Sequence, residues 1–140
     1  MARIKFLDLM SMERLLLRVD SLLKDHTLRM APHRGRSIYI FHPALGYYCR
    51  QFGLRQESVE KDGKEPTPAH LAELQESMKR DGARAILVQR EFDRSHAEVL
   101  SRSLGIEIIS IDPLQYDWFR MMDELATAIE QALNGNRAKN

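Results

Sequence analysis

Residues 37–41 read SIYIF, and this short apolar run decides the fold of the chain. Two further runs of the same kind follow, AILV at 85–88 and IEIISI at 106–111. Apolar runs of this length, bounded by turn residues, are typical of strands that are buried in a parallel sheet. A weaker run over 57–61 predicts a fourth strand.

Helical segments separate these strands. Gly53, Gly82 and Gly105 mark helix ends, and Thr67 followed by Pro68 is a typical helix start. Strands that alternate with helices of this length form crossover units. The sequence therefore predicts an α/β fold with a four-stranded parallel sheet in three layers. The predicted helices cover 44–52, 68–80, 94–104 and about 117–134.

One long helix is predicted ahead of the sheet, over residues 3–30. It has a broad apolar stripe, and neither Gly nor Pro interrupts it before Pro32. The apolar pattern is already in register at the first residue and shows no cap, so we expect a truncated helix. We predict a long connecting helix over 1–31, an α/β lobe over 36–134 and a frayed polar tail over 135–140.

Composition excludes several classes of protein. The chain has 140 residues, 44% of them hydrophobic, which suits one globular domain. A net charge of +1 argues against a dedicated nucleic-acid binder. The single cysteine, Cys49, excludes an intramolecular disulfide and a four-cysteine zinc site. Charges interrupt the first thirty residues, so we predict neither a membrane span nor a secretory signal.

Polar side chains stand directly after three of the predicted strands. His42 follows the first, residues 89–91 (QRE) follow the third, and Asp112 follows the fourth. Ligands of open parallel sheets bind outside the carboxyl ends of the strands, so His42 and Asp112 are candidate metal ligands. Imidazole and carboxylate suit zinc or manganese. A histidine after a strand is also common in loops, and Asp-Pro is a common turn.

Two other functions stay open on these residues alone. One is a metal-free α/β interaction module, or a receiver-like module, in which Glu91 and Asp112 are structural. The other is an enzyme with Glu91 as general base and Asp112 as its partner. The sequence has no Gly-rich phosphate loop and no G-x-S-x-G elbow, and no nucleophile converges on the strand ends. We therefore predict that the chain is not an enzyme.

Four short motifs are specific when they occur together in this order. They read HPALGYY at 42–48 with QFGL at 51–54, GKEPTP at 63–68, ILVQREF at 86–92, and IDPL at 111–114. In this order they resemble the signature of the metal-binding proteins of bacterial ABC transporters, the zinc- and manganese-specific solute-binding proteins.

The resemblance implies two α/β lobes joined by one long helix, with the metal held between the lobes. Each lobe supplies two ligands, and His42 and Asp112 match the pair of the second lobe. The family often has Glu where this chain has Gln89. His42 favours zinc over manganese, because imidazole prefers the later metals.

The resemblance covers only the second half of such a protein. The first lobe, with its two histidine ligands, and the export signal have no counterpart here. We therefore expect an incomplete site that binds zinc weakly, and association of copies through the bare interlobe surface. The implied partners are the metal ion, an ABC permease and the missing N-terminal lobe, and the implied location is periplasmic.

Overall fold

The computed structural model describes residues 2–134, with side chains from residue 8 onward. The predicted tail over 135–140 lies outside the described residues. Five α-helices and four β-strands follow one another along the chain, with one 3-10 turn at Ala31–His33. They are α1 Ala2–Met30, β1 Ser37–Ile40, α2 Gly46–Phe52, β2 Arg55–Ser58, α3 Pro68–Asp81, β3 Ala85–Gln89, α4 Ser95–Leu104, β4 Glu107–Ile111 and α5 Trp118–Asn134.

The four strands form one parallel sheet in the order β2-β1-β3-β4. β3 lies inside the sheet and is buried along its whole length, as its unbroken apolar run predicts. Parallel pairing requires a crossover between consecutive strands, and the helices provide it. The predicted α/β fold is therefore confirmed.

Two apolar layers enclose the sheet. One face packs on α1, α2 and α5, and the other face packs on α3 and α4. Alternate strand residues point to opposite layers, so Ile38 and Ile40 lie in the first layer while Tyr39 and Phe41 lie in the second. The largest fully buried side chains include Met30, Ile38, Ile40, Met78, Ile86, Leu87, Leu100 and Ile129.

The predicted second strand is two residues too late. The sequence places it over 57–61, whereas β2 is Arg55–Ser58. β2 is an edge strand in which exposed and half-buried residues alternate, so it has no apolar run to mark it. Its parallel pairing continues past its end, because the backbone N–H groups of Val59 and Glu60 donate to the carbonyls of Ile40 and Phe41, both at 2.9 Å.

The long helix α1 joins the body through its C-terminal half, from Arg18 over the Phe119 ring onward. Met30 and His26 are buried, whereas Leu16 and Leu17 are 59% and 68% exposed. Arg29 fastens this end to α5, because its guanidinium donates to Glu130 at 2.7 and 3.2 Å. Much of the apolar stripe of α1 thus faces solvent. None of the helices in the described part of the chain has the length and apolar character to cross a membrane.

Candidate metal site

The carboxyl ends of the strands form one rim, and both predicted ligands lie on it. His42 follows β1 and Asp112 follows β4, with β3 between these two strands. Neighbouring strands are about 4.8 Å apart, so the two backbones are on the order of 10 Å apart at the rim. No hydrogen bond or ion pair joins the two side chains among the described residues, and each has other partners.

The His42 ring is held by two neighbouring loops. Its Nδ1 lies 2.6 Å from a carboxylate oxygen of Glu60, and its ring stacks on Phe92 with centroids 4.8 Å apart and 22° between the planes. Among the described residues, Nε2 has no hydrogen-bond partner. A carboxylate that accepts from Nδ1–H fixes the tautomer in which Nε2 has a free lone pair. In that tautomer Nε2 is the ring atom that could coordinate a metal.

Gln89 holds the backbone of His42. Its Nε2 donates to the His42 carbonyl at 2.9 Å, and its Oε1 accepts from the His42 N–H at 3.4 Å. Gln89 is only 1% exposed, so these bonds satisfy a buried amide. Gln89 is a structural clamp that joins the ends of β1 and β3.

Asp112 is held more loosely. Its Oδ1 accepts from the Leu114 N–H at 3.3 Å, and its Oδ2 lies 3.8 Å from a guanidinium nitrogen of Arg90. Arg90 is mostly exposed, so this ion pair is weak and screened by solvent. The carboxylate therefore keeps lone pairs for another cation.

The residue pattern does not indicate that Glu60 and Phe92 are neighbours of His42. The predicted strand over 57–61 includes Glu60, whereas in the structure Glu60 lies just beyond the carboxyl end of β2. A correct boundary would have shown a fourth polar residue after a strand, directly beside His42 in the strand order.

Four further histidines lie on α1, on the 3-10 turn that follows it, on α3 and on α4. His26 and His33 are buried, and burial lowers the pKa of each ring. His70 and His96 are both half-buried. The His70 ring bonds the Ser58 carbonyl and the His96 ring stacks on Phe41.

Cys49 is buried in α2, as an inert small residue would be. Burial raises the pKa of its thiol to about 11, so it remains protonated at neutral pH. A neutral buried thiol is neither a nucleophile nor a metal ligand at this pH.

Comparison with known proteins identifies the family. Residues 11–132 match the family described as ZnuA, "Zinc-uptake complex component A periplasmic". A "Putative metal-binding protein" of Treponema pallidum is 31% identical over 96 residues, which are 67% of this chain and 30% of that protein. "Zinc-binding protein AdcA" of Streptococcus pyogenes serotype M6 is 26% identical over 94 residues, 66% of this chain and 18% of that protein.

Solved structures share the fold. A crystal structure of ZnuA superposes with a TM-score of 0.82 at 24% identity, over 86% of this chain and 48% of that one. A Zn(II)-bound AdcAII variant of Streptococcus pneumoniae superposes with a TM-score of 0.74 at 22% identity, over 86% of this chain and 47% of that one. The chain thus spans about half the length of these structures and less than a third of AdcA. With the family match extending over most of its residues, the chain belongs to the ZnuA family of zinc-uptake components.

Proposed function

We propose that the chain is the C-terminal metal-binding lobe of a solute-binding protein of an ABC uptake transporter, and that its cargo is zinc. The observation that supports this most strongly is the state of His42. Glu60 and Phe92 fix the ring and Gln89 fixes its backbone, while Nε2 has no partner among the described residues. A histidine held this way is preorganised for a cation.

Capture rather than catalysis is the mechanism that this arrangement supports. His42 Nε2 and the Asp112 carboxylate would approach the ion from two sides of β3. The remaining ligands would come from the other lobe, as in the two-lobed relatives that the family resemblance implies. In a zinc site of four ligands, two from this lobe leave the ion half-coordinated, so it can be released when the lobes separate.

Zinc is preferred to manganese for this pair. Imidazole nitrogen favours the later first-row metals, and a single carboxylate is too little for the oxygen-rich coordination that manganese prefers. AdcA is named as zinc-binding, and a ZnuA deletion mutant was crystallised with zinc bound, which supports the same choice.

A site-resolved zinc titration tests the proposal. Nitrogen-15 NMR of the histidine side chains follows His42 Nε2 as zinc is added to the chain. We expect a coordination shift at this nitrogen, with weak binding because the chain supplies two ligands. Asp112→Ala should raise the zinc concentration at half-shift at least tenfold.

The matched control is Asp117→Asn. Asp117 is an exposed carboxylate that accepts from the Arg120 N–H at the start of α5, and its loss should leave the His42 titration unchanged. Absence of any zinc-dependent shift at His42 Nε2 would favour the metal-free interaction module. Tight stoichiometric binding at His42 in a monomer would contradict the two-ligand mechanism.

The proposed partners follow from the exposed surface. The apolar stripe of α1 would pack against the N-terminal lobe, and the two lobes together would present the ion to a permease outside the cytoplasm. An isolated chain leaves that stripe bare, so we expect it to associate with other copies. Light scattering that gives a monomer at high concentration would contradict this expectation. Exposed apolar residues of α1 include Leu9, Met10, Met12, Leu15, Leu16 and Leu17.

A further inference from the structure

A second group of metal-ligating side chains lies between α1 and α5, apart from the rim pair. One ring nitrogen of His26 and one carboxylate oxygen each from Asp25 and Asp123 lie within 4.8 Å of one another. It is the sole cluster of three or more such residues within the part of the chain that the structure describes. None of its members is His42 or Asp112.

His26 has a nitrogen without a partner. The side chain is 1% exposed, and its Nδ1 lies 2.9 Å from the Tyr48 hydroxyl oxygen. Its Nε2 is buried and has no hydrogen-bond partner among the described residues. Buried polar atoms nearly always have a partner, so this nitrogen, on a side chain that lies with Asp25 and Asp123, is a candidate metal ligand.

The protonation state of His26 suits coordination. Burial, and then the nearby Arg29 guanidinium, lower the pKa of the ring, so it is neutral at physiological pH. Burial raises the pKa of Tyr48, which keeps its hydroxyl uncharged. When Nδ1–H donates to the Tyr48 oxygen, the lone pair of Nε2 is free for a metal, and the ring orientation is fixed.

The Asp25 and Asp123 carboxylates are exposed to solvent, and Arg29 neutralises only part of their charge. Asp25 and Asp123 are exposed, and with His26 they line an open groove between α1 and α5. Arg29 contacts Asp123 at 3.0 Å and Asp25 at 3.7 Å, but its closest partner is Glu130 at 2.7 Å. Because Glu130 accepts from two nitrogens of Arg29, that guanidinium is held when the two aspartates turn towards another cation.

We propose that His26 Nε2, Asp25 and Asp123 form a second binding site for a divalent transition-metal ion, zinc in the first place. One imidazole and two carboxylates are a ligand set that zinc accepts, with a fourth position for water. Tetrahedral zinc with bonds of about 2.0–2.1 Å places its ligand atoms about 3.3 Å apart, so the aspartates must close in by up to roughly 1.5 Å. Exposed side chains can make that movement.

The site would join the end of α1 to α5. Asp25 and His26 belong to α1 and Asp123 belongs to α5, so one ion would bridge two helices that Arg29 already links. Zinc would then fix α1 against the lobe, independently of whether the rim binds cargo. This makes the second site separable from the proposed uptake function by experiment.

The test uses the full chain with the rim pair removed, His42→Ala with Asp112→Ala, and zinc alone as the probe. Nitrogen-15 NMR should show a coordination shift at His26 Nε2 on zinc addition. Adding Asp123→Asn to this background should raise the zinc concentration at half-shift at least tenfold. Asp20→Asn, which removes an exposed carboxylate of α1 one turn and a half from Asp25, should leave that concentration unchanged.

Two results would overturn the proposal. One is a His26 Nε2 resonance that does not respond to zinc in the parent chain, a measurement that needs no substitution. The other is an equal half-shift concentration with and without Asp123→Asn, provided circular dichroism shows that the variant is folded. A shift at His42 without one at His26 would reject the second site and leave the rim proposal intact.

Discussion

Replacing Glu60 by Gln changes a single interaction at the rim. Glu60 accepts from His42 Nδ1 at 2.6 Å, and glutamine keeps the length of the side chain while removing its charge. The amide can still accept through its oxygen, but it can also present its NH2 group, which favours the opposite tautomer of the ring. The charge that holds the proton on Nδ1 is lost.

The expected loss follows from partners of this kind at other metal sites. Removing a carboxylate behind a ligating histidine lowers metal affinity by about 10- to 100-fold. At about 1.4 kcal/mol for each factor of ten, zinc binding weakens by roughly 1.4–2.8 kcal/mol. Folding stability should change by less than about 1 kcal/mol, because the His42 side chain is 37% exposed and the pair is screened by solvent.

The assay is the zinc titration of the His42 Nε2 resonance, with urea unfolding of the same samples. Glu57→Gln is the matched control, because Glu57 lies on β2, three residues before Glu60, but is exposed and does not touch His42. An unchanged half-shift concentration in the Glu60 variant would refute the idea that this carboxylate prepares the ring. So would an equal loss of zinc affinity in both variants.

Three further experiments test the packing of the sheet, the Gln89 contact at the rim and the buried histidines. Leu87→Ala should cost about 2–5 kcal/mol in urea unfolding, because Leu87 is fully buried in β3, and a cost below 1 kcal/mol would contradict that burial. Gln89→Leu should cost about 1–3 kcal/mol and weaken zinc binding at His42, since it removes both side-chain bonds to the His42 backbone. Burial lowers the pKa of His26 and His33, so below about pH 6.5 the unfolded chain binds protons that the folded chain does not. The free energy of unfolding should therefore hold its full histidine contribution above about pH 6.5 and decrease as the pH is lowered towards 5.5. Equal urea midpoints at pH 7.5 and 5.5 would contradict this expectation.

The sequence predicts the sheet well where burial determines the residue type. β1 and β3 are buried on both faces, so their apolar runs mark them to within a residue or two. β2 lies at the edge and shows no such run, because one row of its side chains faces water. Its pairing depends on backbone hydrogen bonds to β1, which leave no pattern in the residue types.

In the candidate site, too, some residues could be predicted from the sequence and others could not. His42 and Asp112 are predictable because each polar residue follows an apolar run, and the parallel topology then places both on one rim. Glu60 follows β2, whose end the residue pattern places three residues too late, so its contact with His42 could not be predicted. The group around His26 could not be predicted for another reason: Asp123 is far from His26 in the sequence, and only the packing of α5 against α1 brings them together.

His42 is held more firmly than Asp112, and this difference suits a mechanism in which an ion is first captured and later released. His42 has its backbone clamped by a buried glutamine and its ring fixed on two sides, so the imidazole loses little freedom when an ion binds. Asp112 faces Arg90 at 3.8 Å, a contact that is weak enough for an incoming cation to displace. While no ion is bound, Arg90 partly neutralises the carboxylate. In the proposed capture mechanism the histidine would set the position of the ion, while the aspartate would exchange one cation for another at small energetic cost.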